Sequence, residues 1–459
     1  KELAVLLGDT LKYNNFISKV VLRKIGCDSS AITNLAIAFE VNQNHSVQVL
    51  DVSENKFGDK GAMMLINSIK SFQHGLTYLN FSNCGLTGKG ITFFFSILEK
   101  NWGVSLTLEY LNLSHNKFDE LSSLCLERWI FAMNANSKLK HLILSNTGVT
   151  IGVSQDTRDA LKLLTSLVEL DLSQNKYDIN NTTSEQSLLL ISLVGLAPSL
   201  AKLNLSNCNL VSQTGTALLE SLATNDVIKY VEVDLSHNSL ENIDISKALR
   251  GTSPIKGLNL SNIKFKEKNF IALIDAITKS SIHHVVLDNV LSSKPGLPVT
   301  MALCGMLTTN QSLRSLSLAG GYGKGTIFPV LKILETSNFS LTSLNISNNS
   351  LGDEGGEAIG VCLRYNCFIT HINCDHNDIK WAGWQAIRTC LKTNKNLCSM
   401  TYPLHDIERE STSRKEKLFE CMTGIQKSLQ NGFTFSDKIY SDTIPATPQS
   451  LAPLAPVPQ

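Results

Sequence analysis

The chain has 459 residues, 43% of them hydrophobic, with 41 Lys+Arg against 40 Asp+Glu and a formal net charge of +1. That length can bury a large core, and the balanced charge creates no overall field to attract nucleic acid or an anionic membrane. The longest apolar run, Leu188 to Ala197, falls short of the roughly 18 residues needed to span a bilayer, so composition argues against membrane-spanning, disordered and polybasic classes.

Residues 1–16 (KELAVLLGDTLKYNNF) read as an N-terminal cap or as the truncated end of a preceding helix. The chain starts at Lys1 without an initiator Met, which reads as a piece of a longer protein. From residue 17 the phrase Leu-x-x-Leu-x-Leu-x-x-Asn takes over. Clean copies are Leu108, Leu111, Leu113 and Asn116; Leu167, Leu170, Leu172 and Asn175; and Leu341, Leu344, Ile346 and Asn349. Degenerate copies begin at Ile17, Val47, Leu76, Leu139, Leu200, Tyr230, Ile255, Ile282, Leu313, Ile369 and Leu397. The array therefore covers 17–403 with about fourteen units, each about 29 residues long.

The phrase has a physical reason. Leu-x-Leu alternation makes a short strand with one buried face, and stacked copies make a parallel sheet. The next polar position ends the strand, where its side chain can satisfy backbone groups of the neighbouring turn. This structural ladder is predicted at Asn55, Cys84, Asn116, Thr147, Asn175, Cys208, Asn238, Asn349 and Asn377. Ile263, Val290 and Gly321 occupy the same place without a ladder side chain, so those units should be less regular.

The second half of each unit reads as an amphipathic helix, as in Leu351, Gly355, Ile359 and Leu363. Glycine recurs six residues past the ladder at Gly61, Gly90, Gly355 and Gly383, which suits close helix–strand approach. The fold class is therefore α/β, a leucine-rich repeat horseshoe of the ribonuclease-inhibitor type. Its parallel β-sheet lines the concave face and its helices the convex face. Residues 404–430 read as a C-terminal capping helix with Leu418, Met422, Ile425 and Leu429 as its stripe. Residues 431–459 hold five of the eleven prolines and read as a disordered Pro-rich tail.

Few residues suggest chemistry. Eleven cysteines are scattered without pairing rhythm, which reads as reduced thiols, and glycosylation triplets such as Asn112-Leu-Ser114 lie inside the repeat phrase. No phosphate loop, nucleophile elbow or zinc-spaced Cys/His set appears, so no catalytic residue, metal or cofactor is expected. His371, Cys374, Asp375 and His376 form an imidazole–carboxylate cluster, whose simplest reading is a solvated strand end. The concave face is where such arrays usually bind a protein. Its strand phase exposes Tyr78, Tyr110, His141, Glu169, Glu232, His284 and His371, with aromatic anchors at the two tyrosines.

The last repeats resemble a known family. LTSLNISNNSLGDEGGEAIG, HNDIKWAGWQAI, the terminal SMTYPLHDI and KEKLFECMTGIQKSLQNGF together look like the end of the leucine-rich repeat domain of the CARMIL proteins. These are the linkers of capping protein, actin nucleation complex and myosin-I. The irregular stretch near 282–330 is similar as well, and the resemblance covers about residues 17–430. It implies a non-enzymatic interaction scaffold, part of a cytoplasmic regulator of actin assembly at the cytoskeleton or cell cortex. Partners would be proteins of that machinery, with homodimerisation left open and no nucleic acid. Relatives bind capping protein through a Leu-x-His-x-Thr-x-x-Arg-Pro-Lys type motif; here Leu404 and His405 are adjacent, not spaced. The alternatives are a regulatory domain acting on a small GTPase, since some relatives join a similar array to Rho-family regulatory domains, and an inhibitor-type binder of one folded protein.

Overall fold

The computed structural model describes residues 2–72, 75–133, 136–150, 164–177, 191 and 198–434. The chain forms two compact units, Lys1–Ile282 and His283–Gln459.

The first unit stacks nine short parallel strands. They are β1 Lys19–Val21, β2 Val49–Asp51, β3 Tyr78–Asn80, β4 Tyr110–Asn112, β5 His141–Ile143, β6 Glu169–Asp171, β7 Lys202–Asn204, β8 Val231–Asp234 and β9 Ile255–Asn259. Pairing keeps the repeat phase, so Leu50, Leu79, Leu111, Leu142, Leu170, Leu203, Val233 and Leu258 follow one another in register. All eight are buried. The register slips once, between Val231 and Glu232 on β8. There Gly257 faces Glu232, and a Cβ on that glycine would come within 2.6 Å of the Glu232 Cγ.

The second unit repeats the plan with β10 His284–Val286, β11 Ser315–Ser317, β12 Ser343–Asn345, β13 His371–Asn373, β14 Ser399–Thr401 and β15 Gly432–Thr434. Val285, Leu316, Leu344, Ile372, Met400 and Phe433 are its in-register column. Between strands run helices such as Ser29–Val41, Gly88–Leu98, Gly323–Thr336 and Gly352–Tyr365, each with a buried apolar stripe. Helices Gly352–Tyr365 and Trp381–Leu391 approach so closely that a Cβ on Gly356 would lie 2.6 Å from the Gly383 Cα. A side chain at that position would force the backbones apart.

Most strands end in the same turn. The residue before the ladder position is left-handed, as at Glu54 (φ 59), Asn83 (φ 53), His115 (φ 57), Gln174 (φ 59), Asn348 (φ 57) and His376 (φ 60). Asn and His tolerate this region better than branched residues, which accounts for much of the residue choice there. The ladder residue then turns inward. Asn175 Nδ2 donates to the carbonyls of Leu144 and Leu172, both at 2.8 Å, and its Oδ1 accepts from Thr147 and Gly148 at 2.9 and 2.8 Å. Cys84 and Cys208 donate through Sγ to Val52 and Leu172 at 3.4 and 3.2 Å, and burial pushes both thiols up to about 12.

Two ladder residues lie one position away from where the repeat phrase looks for them. Gly321 offers no side chain, but the buried hydroxyl of Tyr322 donates to the Leu287 carbonyl at 2.7 Å. That carbonyl is the counterpart of the Leu318 carbonyl bound by Asn349 at 2.8 Å. Asp406 closes the last turn by accepting from the amides of Asn377 and Asp378 at 3.0 and 2.9 Å. Tyr322→Phe should therefore orphan the Leu287 carbonyl and cost about 1–3 kcal/mol. Equilibrium denaturation would measure this, and a loss below about 0.5 kcal/mol would count against the ladder role.

The end of the array differs from a single capping helix over 404–430. Helix Leu404–Glu408 stops after one turn, because Asp406 must point inward as a ladder group, and helix Thr412–Gln426 follows. Leu418, Cys421, Met422, Ile425 and Leu429 are buried. Residues 432–434 are then a strand paired with β14, in place of the expected start of a disordered tail. Phe433 packs edge-on against Tyr402 with ring centroids 5.1 Å apart, which gives the strand an apolar anchor. Residues 435–459 lie outside the described residues. At the other end, helix Glu2–Leu11 packs beside helix Ser29–Val41, and Asn42 Nδ2 bonds the Leu11 carbonyl at 2.7 Å.

Candidate functional site

In a parallel sheet, equivalent residues on adjacent strands stand about 4.8 Å apart, so a repeat array writes its surface as rows. On the first unit, the row through the first strand positions runs Tyr78, Tyr110, His141, Glu169, Lys202 and Glu232. The parallel row through the third positions runs Asp51, Asn80, Asn112, Ile143, Asp171, Asn204, Asp234 and Asn259.

The first row is physically continuous at its aromatic end. Tyr78 and Tyr110 stack with centroids 4.2 Å apart and planes 6° from parallel. His141 lies 5.8 Å beyond Tyr110, and its Nδ1 meets Glu169 Oε2 at 2.7 Å. Both tyrosines are half-buried, and loss of solvent pushes their hydroxyls above the ordinary tyrosine value. The bond from His141 holds Glu169 below the usual glutamate range. Further along, the Tyr230 hydroxyl donates to Glu232.

From β2 to β8 the two rows hold five carboxylates (Asp51, Asp171, Glu169, Glu232 and Asp234) against the ammonium of Lys202, and Lys19 stands in the first row on β1. Asn80 and Asn259 donate to Asp51 and Asp234 at 3.2 and 2.9 Å, which fixes those carboxylates on the sheet. Burial pushes Asp171 above the usual range. The arrangement is an aromatic step leading into an acidic strip, with no nucleophile–base pair among these residues.

The remaining sequence candidates fall in the second unit. His284 is half-buried at the start of β10, 6.1 Å from the His283 ring. His371 starts β13, with Nδ1 2.7 Å from Thr370 Oγ1. The quartet at 371–376 separates. Cys374 is buried in the core, its thiol held well above the ordinary value by burial, while Asp375 and His376 face a residue that sequence reasoning set aside, His405. His405 Nδ1 lies 3.1 Å from Asp375 Oδ2. Next to it, burial and then the Asp375 charge push the Asp406 carboxyl up to about 7.

Comparisons with known proteins agree with this architecture. One leucine-rich repeat family model matches residues 43–65 and 337–360, and a second matches 75–97 and 107–129. The chain is 28% identical to the Rho GTPase-activating protein gacW of Dictyostelium discoideum over 92% of its own length and 36% of the relative. It is 26% identical to Protein CARMIL of Dictyostelium discoideum, over 80% of this chain and 35% of the relative. It is 25% identical to human (Homo sapiens) capping protein, Arp2/3 and myosin-I linker protein 3, over 91% of this chain and 30% of the relative. The chain thus spans about a third of the length of these curated relatives. Among the described residues no helix is long and apolar enough to cross a membrane. The repeated strand–turn–helix units thus give the chain a leucine-rich repeat fold, and over most of its length it is similar to proteins named as a Rho GTPase-activating protein, as CARMIL and as a capping protein, Arp2/3 and myosin-I linker.

Proposed function

We propose that the strand face of the first unit is a protein-docking surface, and that the chain serves as a non-enzymatic scaffold within a cytoplasmic regulator of actin assembly. The observation that carries this reading is the continuous row from the stacked Tyr78 and Tyr110 through His141 to Glu169. Stacked tyrosines offer a rigid apolar platform at low entropic cost, and the acidic strip beside them favours a partner with a basic segment. A Lys or Arg of that segment can sit over a tyrosine face. The relatives named as linkers of capping protein, Arp2/3 and myosin-I support partners from the actin-assembly machinery. His284 and His371 belong to the second unit and are proposed only as secondary contacts.

The test is a binding titration of the chain against purified actin-assembly proteins, including capping protein, Arp2/3 complex and myosin-I, and against Rho-family GTPases. Tyr110→Ala should weaken the productive complex by roughly 30-fold, the size of an interface hot spot. Raising the salt from 50 to 300 mM should weaken it further, because salt screens the attraction between the strip and a basic segment. Binding that is indifferent to Tyr110→Ala would remove this face from the reading. The relative named as a Rho GTPase-activating protein supplies the competing outcome: accelerated GTP hydrolysis by one of the GTPases would overturn the scaffold assignment.

A further inference from the structure

The turn after β13 and the short helix Leu404–Glu408 bring three metal-ligating side chains together. Ligand atoms of Asp375, His376 and His405 all lie within 4.8 Å of one another. The His376 and His405 rings face each other with centroids 3.3 Å apart and planes tilted by 31°. Asp375 is nearly buried, and its Oδ1 is already held by the amides of His376 at 2.8 Å and Asp406 at 3.2 Å. That orients Oδ2 toward His405, 3.1 Å from Nδ1 and 3.4 Å from the backbone amide.

A second observation marks the same place as short of positive charge. Asp406 is fully buried, and its Oδ2 has no hydrogen-bond partner. Two carboxyl groups therefore lie side by side, and among the described residues no Lys or Arg forms an ion pair with either. Nothing in the binding-face reading uses these residues.

We propose that Asp375, His376 and His405 bind a divalent transition-metal cation, Zn²⁺, which staples the turn after β13 to the helix after β14. Two imidazoles and a carboxylate are a donor set that suits zinc, with water in the fourth position. Bonds of about 2.0–2.1 Å place tetrahedral donors about 3.3 Å apart, so binding requires the stacked His376 and His405 rings to swing apart while their nitrogens and the Asp375 carboxylate converge on the ion. The two amides on Asp375 Oδ1 act as the outer shell that fixes the carboxylate. The cation would offset the paired carboxyls and hold the end of the array closed over its last repeat.

The test is competition between the full chain and a chromophoric chelator for Zn²⁺, repeated with His405→Gln and His376→Asn. His405 is half exposed, and asparagine tolerates the left-handed backbone at 376 (φ 60), so both variants should keep the native far-ultraviolet circular dichroism. One equivalent should bind, and each variant should lose at least about tenfold in affinity. Zn²⁺ should slow proteolytic cleavage within 404–434 in the native chain and not in the variants. Because the chain carries eleven free cysteines, Co²⁺ identifies the ligands: visible d–d bands without thiolate charge transfer are expected. No binding, equal binding by the variants, or a thiolate charge-transfer band would overturn the proposal.

Discussion

Trp129→Ala should destabilise the first unit by about 3–5 kcal/mol, in the range measured for emptying a large aromatic site. Trp129 lies on helix Glu120–Met133, is fully buried, and packs against Phe95 with ring centroids 5.4 Å apart. Phe95 in turn meets Phe94 edge-on at 5.2 Å, and Phe94 meets Phe81 at 5.8 Å, so the indole ends an aromatic file that links two successive repeats. The indole Nε1 also donates to Ser105 Oγ at 3.0 Å on helix Trp102–Thr107. Alanine would leave both a cavity and a buried hydroxyl short of its partner. Repeat arrays couple mainly to nearest neighbours, so the loss should be local. Amide hydrogen exchange should accelerate most in helices Gly88–Leu98 and Glu120–Met133 and least in helices Gly352–Tyr365 and Trp381–Leu391. Uniform acceleration along the chain, or a cost below about 1 kcal/mol, would show that this helix is not integral to the repeat core.

The strands were readable because a three-residue strand with one buried centre leaves a period-two signature, and Leu111, Leu170 and Leu344 carry it plainly. The helices followed from stripes such as Ile359 and Leu363. Legibility failed wherever the chain slips by one residue. Tyr322 and Asp406 take ladder roles one position past the expected place, and the repeat phrase has no slot for either. The same slip put His405 outside the strand reading, although it meets Asp375 across 30 residues of sequence.

A second ladder was missed for a different reason: it lies where each helix ends. Asn338 and Asn366 donate through Nδ2 to the carbonyls of Leu307 and Leu334, both at 2.6 Å, and Asn394 donates to the Leu363 carbonyl. These three asparagines recur every 28 residues, so the period was present in the sequence, outside the leucine phrase. On the candidate face, the strand phase identified Tyr78, Tyr110, His141 and Glu169 individually. Their continuity depends on register, because only exact pairing of β3 with β4 and β4 with β5 sets the rings in file.

Asn116→Ala should cost about 2–6 kcal/mol, because it orphans several buried backbone groups at once. Its Oδ1 accepts from the amides of Cys84 at 3.2 Å and Leu86 at 3.0 Å, while Nδ2 donates to the carbonyls of Phe81 at 2.8 Å and Leu113 at 3.0 Å. Two amides that lose their acceptor where Asn116 is only 4% exposed each cost about 1–3 kcal/mol. Asn116→Asp isolates the donor side. It keeps an acceptor for Cys84 and Leu86 and loses the donation to Phe81 and Leu113, so at neutral pH it turns two attractions into carboxylate–carbonyl repulsions. The structure itself carries an aspartate at this station in the last turn, Asp406, where burial and the neighbouring Asp375 charge favour the protonated form. Asn116→Asp should therefore be less stable than the native chain at pH 8 and recover part of the deficit as the pH falls toward 5, where a protonated carboxyl can donate again. Denaturation midpoints of the two variants and the native chain across that pH range decide the matter. If both variants matched the native chain, the buried asparagine would be filling space, and its backbone bonds would not be what holds adjacent turns in register.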